Sequence, residues 1–426
     1  MRITIVALNA FPLIETGKSR NIGGLETFAW NLAQGLAVNE LDQVQFVVRS
    51  ERACIARKHH GVQVDFIHEP CREIRQSVSK AIEIDSARRI PRIRAWQPSL
   101  LWKIPLLAFR KVFFPRYSEA KSIAAAVERF DPGVIVTLGV NQTSAMLGEL
   151  ARDRNIPIAL WLQSNADLDR NLFDNVGFVD RYGVRSEHAQ ACLRLCRNIV
   201  CQTQTQFRRL KEMESIQSDS QTQPVHAIHL ANAIDTSAFP NAEASPDRRN
   251  GVLWIGRADR FHKRPHLAIK IAARCPDIPF TMILNPSEDA VYREILNVKP
   301  PNVAILDFVP ASEMSKRMSN AWLFLSTGSA DYEGFPNVFL ESSASGTPIL
   351  SLEDFDEFLL RSGGGLSGGG RVDQVVENIL RLHSSPAEWM QFSRNGRAYV
   401  CVHHERSAIV QKFRRWLEAI VLAHRA

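Results

Sequence analysis

Cysteine is scarce in this chain, long apolar runs are missing, and neither sign of charge dominates. Seven cysteines (Cys54, Cys71, Cys192, Cys196, Cys201, Cys275 and Cys401) are spread over 426 residues. So few, and odd in number, they make no disulfide framework, and a reducing, cytosolic setting with free, mostly buried thiols is expected. Cys192, Cys196 and Cys201 invite a metal reading, but no fourth ligand of suitable spacing follows, so small buried residues on a helix are expected instead. No run approaches the ~18 apolar residues of a membrane span. The opening Met1-Arg2 leads into a short apolar run ending at Asn9, which does not read as a secretory signal. Lys and Arg number 52 against 45 Asp and Glu, a net charge of +7. That balance is compatible with an anionic ligand or membrane face and too weak for a nucleic-acid-binding chain.

What is present is an alternation. Short β-branched runs at 3–8, 44–49, 62–67, 134–138, 158–162 and 199–202 are separated by helical patterns. After a break, further runs follow at 252–255, 280–284, 303–308, 322–326 and 348–352. Between Glu26 and Leu36, the residues Phe28, Ala29, Leu32, Ala33 and Leu36 repeat at the period of a helix. Runs apolar on both faces, alternating with helices, predict parallel sheets covered on both sides. The break at 236–250 is rich in Pro, Ser, Asn and charge, as in a linker. The reading is α/β, with two doubly wound Rossmann-like domains, 1–240 and 241–404, and a final helix over 405–426 that could join either. The glycine-rich patch from Ser362 to Gly370 reads as a mobile loop. Ligands of such sheets sit beyond the strand carboxyl ends, so the cleft between the two domains is the expected site.

Three motifs carry chemistry. Gly23 and Gly24 lie between the first strand and first helix, where a bare backbone approaches a ligand closely. The spacing is not GxGxxG and no complete Walker pattern accompanies it, so a plain tight turn is an equal reading. Gly256 and Arg257 end the first strand after the break, with Lys263 and Arg264 six residues on. A guanidinium fork and a flexible ammonium suit adjacent phosphates, although a solvated basic loop would look the same. The third motif is the sharpest. Glu333 precedes Gly334, Phe335, Pro336 and Asn337, and Glu341 lies inside the helix that Pro336 is expected to begin. Helical side chains lean toward the N-terminus, so Glu341 can share the space faced by Glu333 and the free amides of Gly334 and Phe335. Amides for phosphate oxygens, with carboxylates for sugar hydroxyls, fit a phosphorylated, hydroxyl-rich ligand.

On these residues the chain resembles the retaining nucleotide-sugar glycosyltransferases of family 4, the glycosyl transferases group 1, with their two-domain GT-B fold. Glu333 and Glu341 form the E-x7-E element within EGFPNVFLESSASGTPIL, GRADRFHKRP matches the G-R-x5-K phosphate element, and HLANAIDTSAF and the early GGLE complete the ordered set. The resemblance is strong over the C-terminal half and reaches only the first loop of the N-terminal half. It implies that Arg257 and Lys263 hold the donor pyrophosphate, beside Gly256, and that Glu341 takes the nucleotide ribose. It gives the donor-sugar hydroxyls to Glu333, and sugar and phosphate contacts to Gly334, Phe335 and Asn337. Gly23 and Gly24 approach from the opposite domain. Glu333, Arg257 and Lys263 are the residues implied in catalysis. The last helix is expected to cross back to the N-terminal domain, with Arg415 and Trp416 near the hinge. Two departures stand out. A histidine common near the donor sugar is replaced by the stretch LWLQSNADLD, where Gln163, Asn165 and Asp167 are the candidates to substitute. Ala233 also takes the place of a usual glycine, which implies a different turn.

The implied reaction is transfer of a sugar from a nucleotide diphosphate to a glycan or lipid-linked glycan, with retention, in polysaccharide or glycoconjugate biosynthesis. The alternatives are an impaired nucleotide-sugar-binding protein and a nucleotide-sugar epimerase of the same fold. Fixed cations and a helix end can stabilise the leaving phosphate, so neither a metal nor another cofactor is expected. Asp167-Leu-Asp169 and Asp354-Phe-Asp356 are rival DxD patterns, short enough to arise by chance. Finally, Arg88 to Arg116 holds eight Lys or Arg and no acid, interleaved with Trp96, Trp102, Phe109, Phe113 and Phe114. That mix suits an anionic membrane interface or single-stranded nucleic acid, and an irregular basic subdomain is an equal reading; the resemblance implies the first, as peripheral docking at the inner membrane face. Pro91, Pro98, Pro105 and Pro115 are expected to prevent one long helix.

Overall fold

Strands that are apolar on both faces need cover on both faces, and the computed structural model shows two sheets built on that requirement. It describes residues 1–14, 24–50, 54–68, 71–84, 91–93, 96–113, 119–217, 224–239 and 245–425. The first half carries β1 (Arg2–Val6), β2 (Gln43–Ser50), β3 (Arg57–His59), β4 (Val62–His68), β5 (Ile82–Ile84), β6 (Pro91–Ile93), β7 (Val134–Leu138), β8 (Ile158–Trp161), β9 (Asn198–Cys201) and β10 (His226–His229). The second half carries β11 (Val252–Arg257), β12 (Phe280–Asn285), β13 (Val303–Leu306), β14 (Leu323–Ser326), β15 (Ile349–Ser351) and β16 (Gly365–Ser367).

Two sheets follow, ordered β10-β9-β8-β7-β1-β2-β4-β3 and β13-β12-β11-β14-β15-β16. All pairings are parallel except β3 with β4, and β5–β6 form a separate antiparallel pair. The chain reverses direction across the first sheet between β1 and β7, and across the second between β11 and β14. Those are the switch points beyond which ligands of doubly wound sheets bind. The fold class is therefore the one expected from the alternation of runs.

Several local expectations are corrected. Gly365–Ser367 is not a loose loop but the edge strand β16, paired in register with Ile349–Ser351. A Cβ on Gly365 would overlap the carbonyl of Ile349, so only glycine lets the edge strand close on its neighbour. Strands β3 and β10, and the hairpin β5–β6, escaped the periodicity reading because they are short, half-exposed or carry charge. Of the three clustered thiols only Cys192 is helical (Ser186–Leu195), while Cys196 follows that helix and Cys201 lies on β9. All seven thiols are free, and burial pushes those of Cys192 and Cys201 up to about 12. The segment is not one long helix, as expected, since Pro91 opens β6 and Pro98 precedes the helix Leu100–Phe113, but Pro105 sits inside that helix. As its sixth residue it removes one backbone bond and crowds the preceding turn without ending the helix. Arg88, Arg89, Phe114 and Arg116, like 240–244 of the break, lie outside the described residues. No helix among the described residues is long and apolar enough to cross a membrane.

The chain crosses between the halves twice at one place. Ile234 pairs with Glu405: its N–H donates to His404 O at 2.9 Å, and its carbonyl accepts from Arg406 N at 2.9 Å. Beyond this crossing the helix Arg406–Arg425 returns to the first half and buries Ile409, Val410, Phe413, Trp416, Leu417, Ile420 and Val421. Phe413 meets Trp161 at 4.8 Å, and Trp161 meets Phe28 of the helix Gly24–Ala37 at 4.7 Å. Trp416 does not mark the hinge, as the resemblance implied. It stacks on His226 of β10 at 5.6 Å, some ten residues (~15 Å) further along the helix. Asp42 ties down the same helix, accepting from Arg414 at 2.5 Å and from the N-terminal ammonium at 2.6 Å.

The C-terminal helix is thus part of the first core rather than an appendage. Phe413→Ala is expected to cost about 3–5 kcal/mol, lowering the first urea-unfolding midpoint of the intact chain. Exposed Lys412→Ala should stay within about 0.5 kcal/mol.

Candidate functional site

The site grows from the carboxyl end of β11. Gly256 and Arg257 close that strand, and the Asp259 carboxylate accepts from the amides of His262 (2.7 Å) and Lys263 (2.8 Å). That turn aims three consecutive side chains in different directions. Arg264 adopts a left-handed conformation (φ 50°) before the helix Pro265–Ala273. Its guanidinium donates to Thr327 O (2.7 Å), Gly328 O and Glu353 (2.5 Å), pinning the loop after β14. Lys263 forms an ion pair with Glu333. His262 accepts from Arg257 at Nδ1 (2.8 Å) and points Nε2 toward Glu333 Oε2 at 3.7 Å. Burial, then the charges of Lys263 and Arg257, hold the imidazole far below its ordinary pKa. It is neutral.

Glu333 precedes the helix Asn337–Ala344, whose N-cap is Pro336, one position earlier than its expected place at the first helical residue. The helix points its C-terminus away from the cleft, where Arg397 donates to Ala344 O and Arg249 to Ser345 O at 3.0 Å. Its positive end therefore faces the cleft, where the amides of Gly334 and Phe335 find no acceptor among the described residues. Glu341, half-buried on that helix, makes no ion pair or side-chain hydrogen bond among the described residues. Burial alone pushes its carboxyl up to about 7.

The two halves meet over this point. Asn337 Nδ2 donates to Gly24 O at 3.2 Å, while its Oδ1 accepts from Asn232 at 2.8 Å. Ser164 donates to Tyr332 O, and Asn165 to Ala330 O at 2.7 Å. Gly334 is packed so closely that a Cβ would overlap Gln202 Nε2 and meet Gln163 O at 2.7 Å. Tyr182 reaches across from the first half, its ring 5.8 Å from Phe261, 6.3 Å from His262 and 6.4 Å from Tyr332. Arg181 lies 5.4 Å over Phe261 and 5.5 Å over Tyr332.

The structure thus brings Arg257, Lys263, Glu333, Gly334, Phe335, Asn337 and Gly24 to one cleft wall or its mouth. Gly23 lies outside the described residues. Gln163, next to Gly334, donates only a long 3.4 Å bond to Trp161 O. Asn165 is spent on Ala330, although its Oδ1 is buried without a partner. Asp167 is a loop cap, taking the amides of Gln163 (2.6 Å), Ser164 (3.1 Å) and Val140 (3.2 Å). Burial outweighs those donors and lifts it to about 6. Both DxD pairs are engaged within the protein: Asp169 caps the helix Arg170–Asp174, Asp354 takes the amides of Leu359 and Leu360, and Asp356 takes Gln204 N across the cleft at 2.8 Å. Ala233 is not among the residues with positive φ, so no glycine is required there. His262, Glu353 and Tyr182 escaped the sequence reading. His262 lay inside the phosphate motif; nothing local marked the other two.

Residues 235–399 match the family of glycosyl transferases group 1. Solved structures extend the likeness to the whole chain. Sucrose-phosphate synthase from Thermosynechococcus elongatus is 14% identical, with 99% of each chain covered and a TM-score of 0.67. Anabaena Alr3699/HepE, in complex with UDP and glucose, is 13% identical over 98% of this chain and 100% of that one, with a TM-score of 0.65. An alpha,alpha-trehalose-phosphate synthase (UDP-forming) from Burkholderia vietnamiensis is 12% identical over 99% of both, also at 0.65. The fold is GT-B. Among curated proteins nothing matches.

Glu341 gives a pH test. Its carboxyl is raised from 4.5 to about 7, so below 4.5 the native and unfolded chains both hold the proton. As pH rises toward 7 only the unfolded chain releases it, and that part of the stability is lost. Glu341→Gln removes the penalty. Its melting temperature should equal wild type at pH 4 and exceed it by about 2–4 °C above pH 7, by calorimetry across that range.

Proposed function

We propose that the chain transfers a hexose-type sugar from a nucleotide diphosphate to a glycan or lipid-linked glycan acceptor. The anomeric configuration is retained, no metal takes part, and the product is a polysaccharide or glycoconjugate. One observation carries this reading: Lys263 and Arg257 stand at the end of β11 beside Glu333 and a positive helix end. Lys263 spends one of its three donors on Glu333, leaving the others for a phosphate oxygen. Arg257, with a side chain 46% exposed, offers a second cation to the same diphosphate. As the glycosidic bond breaks, the charge growing on the leaving phosphate meets fixed cations and unpaired amides rather than water. Ribose hydroxyls donating to Glu341 would supply the partners that its half-buried carboxylate lacks. Retention follows the resemblance to retaining enzymes, and we assign it to front-face departure guided by the leaving phosphate. The match to glycosyl transferases group 1, and the nucleotide complex of Anabaena HepE, support the donor class.

We assign the acceptor to the cavity at the carboxyl ends of β1 and β7, lined by Ala7, Asn9, Glu26, Thr137, Asn141 and Arg185. It opens at the switch point of the first sheet and shares Tyr182 with the donor wall.

A thermal-shift screen against UDP, GDP, ADP and their sugars tests the donor site. One nucleotide series should raise the melting temperature, and Lys263→Ala should abolish the shift while leaving the unliganded transition in place. Loss of binding in chelator, restored by Mg²⁺ or Mn²⁺, would refute the metal-independent reading. NMR of the sugar product separates retention from inversion, and transfer from epimerisation or silent binding.

The second part concerns the helix Leu100–Phe113. It exposes Leu101, Trp102, Phe109 and Phe113 beside Lys103 and Arg110, with no acid on the helix. That pairing of apolar and cationic residues suits an anionic lipid surface. Flotation should therefore recover the chain with phosphatidylglycerol vesicles and not with phosphatidylcholine. Leu101→Glu combined with Phe113→Glu should lose that binding. Recovery indifferent to lipid charge and salt would count against it.

A further inference from the structure

Two buried polar atoms at the heart of the site lack partners, and they face one another. His262 Nε2 and Glu333 Oε2 are both buried without a hydrogen bond and lie 3.7 Å apart. That gap is too long for a direct bond. The tautomer of the imidazole follows from its other neighbour. Arg257 can only donate, so the Nδ1 that meets it at 2.8 Å is an acceptor, and the neutral ring carries its proton on Nε2. Glu333 uses Oε1 for Lys263, which keeps its second oxygen an acceptor. The result is a fixed donor and a fixed acceptor that face one another across 3.7 Å.

Tyr182 approaches the imidazole ring to ring at 6.3 Å, and Asp259 gives Oδ1 to the amides of the same turn, while its Oδ2, also buried without a hydrogen bond, lies 3.6 Å from Arg257 Nε. Gly328 leaves room for Glu333: a Cβ there would lie 2.6 Å from Oε2.

We infer that His262 and Glu333 together read a single unsubstituted hydroxyl of the donor sugar, which makes His262 a specificity-determining residue. A hydroxyl accepts from Nε2–H and donates to Oε2 at once. An ammonium has no acceptor for Nε2–H, a fluorine cannot donate to Oε2, and a deoxy carbon does neither. Each leaves a buried polar atom unpaired, the kind of mismatch that discriminates strongly between close analogues. Arg257 has a double duty: it faces the diphosphate and, through Nδ1, keeps the proton of His262 on the sugar side.

This inference rests on the donor site proposed above, and calorimetric titration separates the two. Wild type, His262→Ala and His262→Gln are titrated with UDP and UDP-glucose, and with the ADP and GDP pairs. His262→Ala should weaken the nucleotide sugar about tenfold or more and leave the free nucleotide within about twofold. His262→Gln, which can present an amide N–H in the same direction, should recover most of the loss. Monodeoxy donors then identify the hydroxyl. One of them should bind wild type about as weakly as glucose donor binds His262→Ala, with no further loss in that variant. Equal weakening of sugar and free nucleotide would overturn the inference and mark His262 as support for Arg257. Unchanged affinity for both would overturn it too, leaving the donor site intact. No binding to wild type by any nucleotide would remove both readings.

Discussion

Carboxylates drawn out of bulk water need donors or cations, and the second half of this chain is arranged around that need. Glu333 is met by Lys263, and Glu353 by Arg264, from two consecutive residues of one turn. Asp259 builds that turn by taking two of its amides. Where a partner is missing, the cost is visible: Glu341 is held close to neutrality. On the function proposed here, these are the groups left open for a hydroxyl-rich, anionic ligand.

The same constraint links the halves. The loops that carry Tyr332 and Ala330 give their carbonyls to Ser164 and Asn165, and Asp356 gives its carboxylate to the amides of Gln204 and Thr205. These are polar contacts a bound ligand or water can replace. By contrast, the crossing at Ile234 and Glu405 leads directly into a buried apolar helix. The halves are thus joined by a crossing that leads into a buried apolar helix on one side and by a polar seam on the other.

Much of the fold was readable from period alone. Strands β1, β7, β8, β11 and β14 are apolar on both faces, and that pattern has few solutions besides a covered parallel sheet. Edge elements were not readable, because half-exposed strands such as β3 and β10 lack the signal. For β16, the glycines on either side of it imitate a linker, although close approach to Ile349 is what demands Gly365. Pro105 misled because an interior proline removes one backbone bond and crowds one turn, and a helix that keeps its other bonds can run through it.

For the site, the chain order of Arg257, Lys263, Glu333 and Glu341 set out which charges would meet, since a strand end and a helix start are local features. Their pairings were decided elsewhere. Whether Asp167 offers a free carboxylate or caps a loop depends on amides folded back upon it, and Asn165 is spent on a residue 165 positions away. His262 shows the division most clearly. Its place in the motif was written in the sequence, but its tautomer, its neutrality and its unpaired Nε2 arise only once Arg257 and Glu333 stand on either side. Sequence specifies the groups and their local geometry; a hydrogen bond also needs its other half, and that half comes from distant parts of the chain.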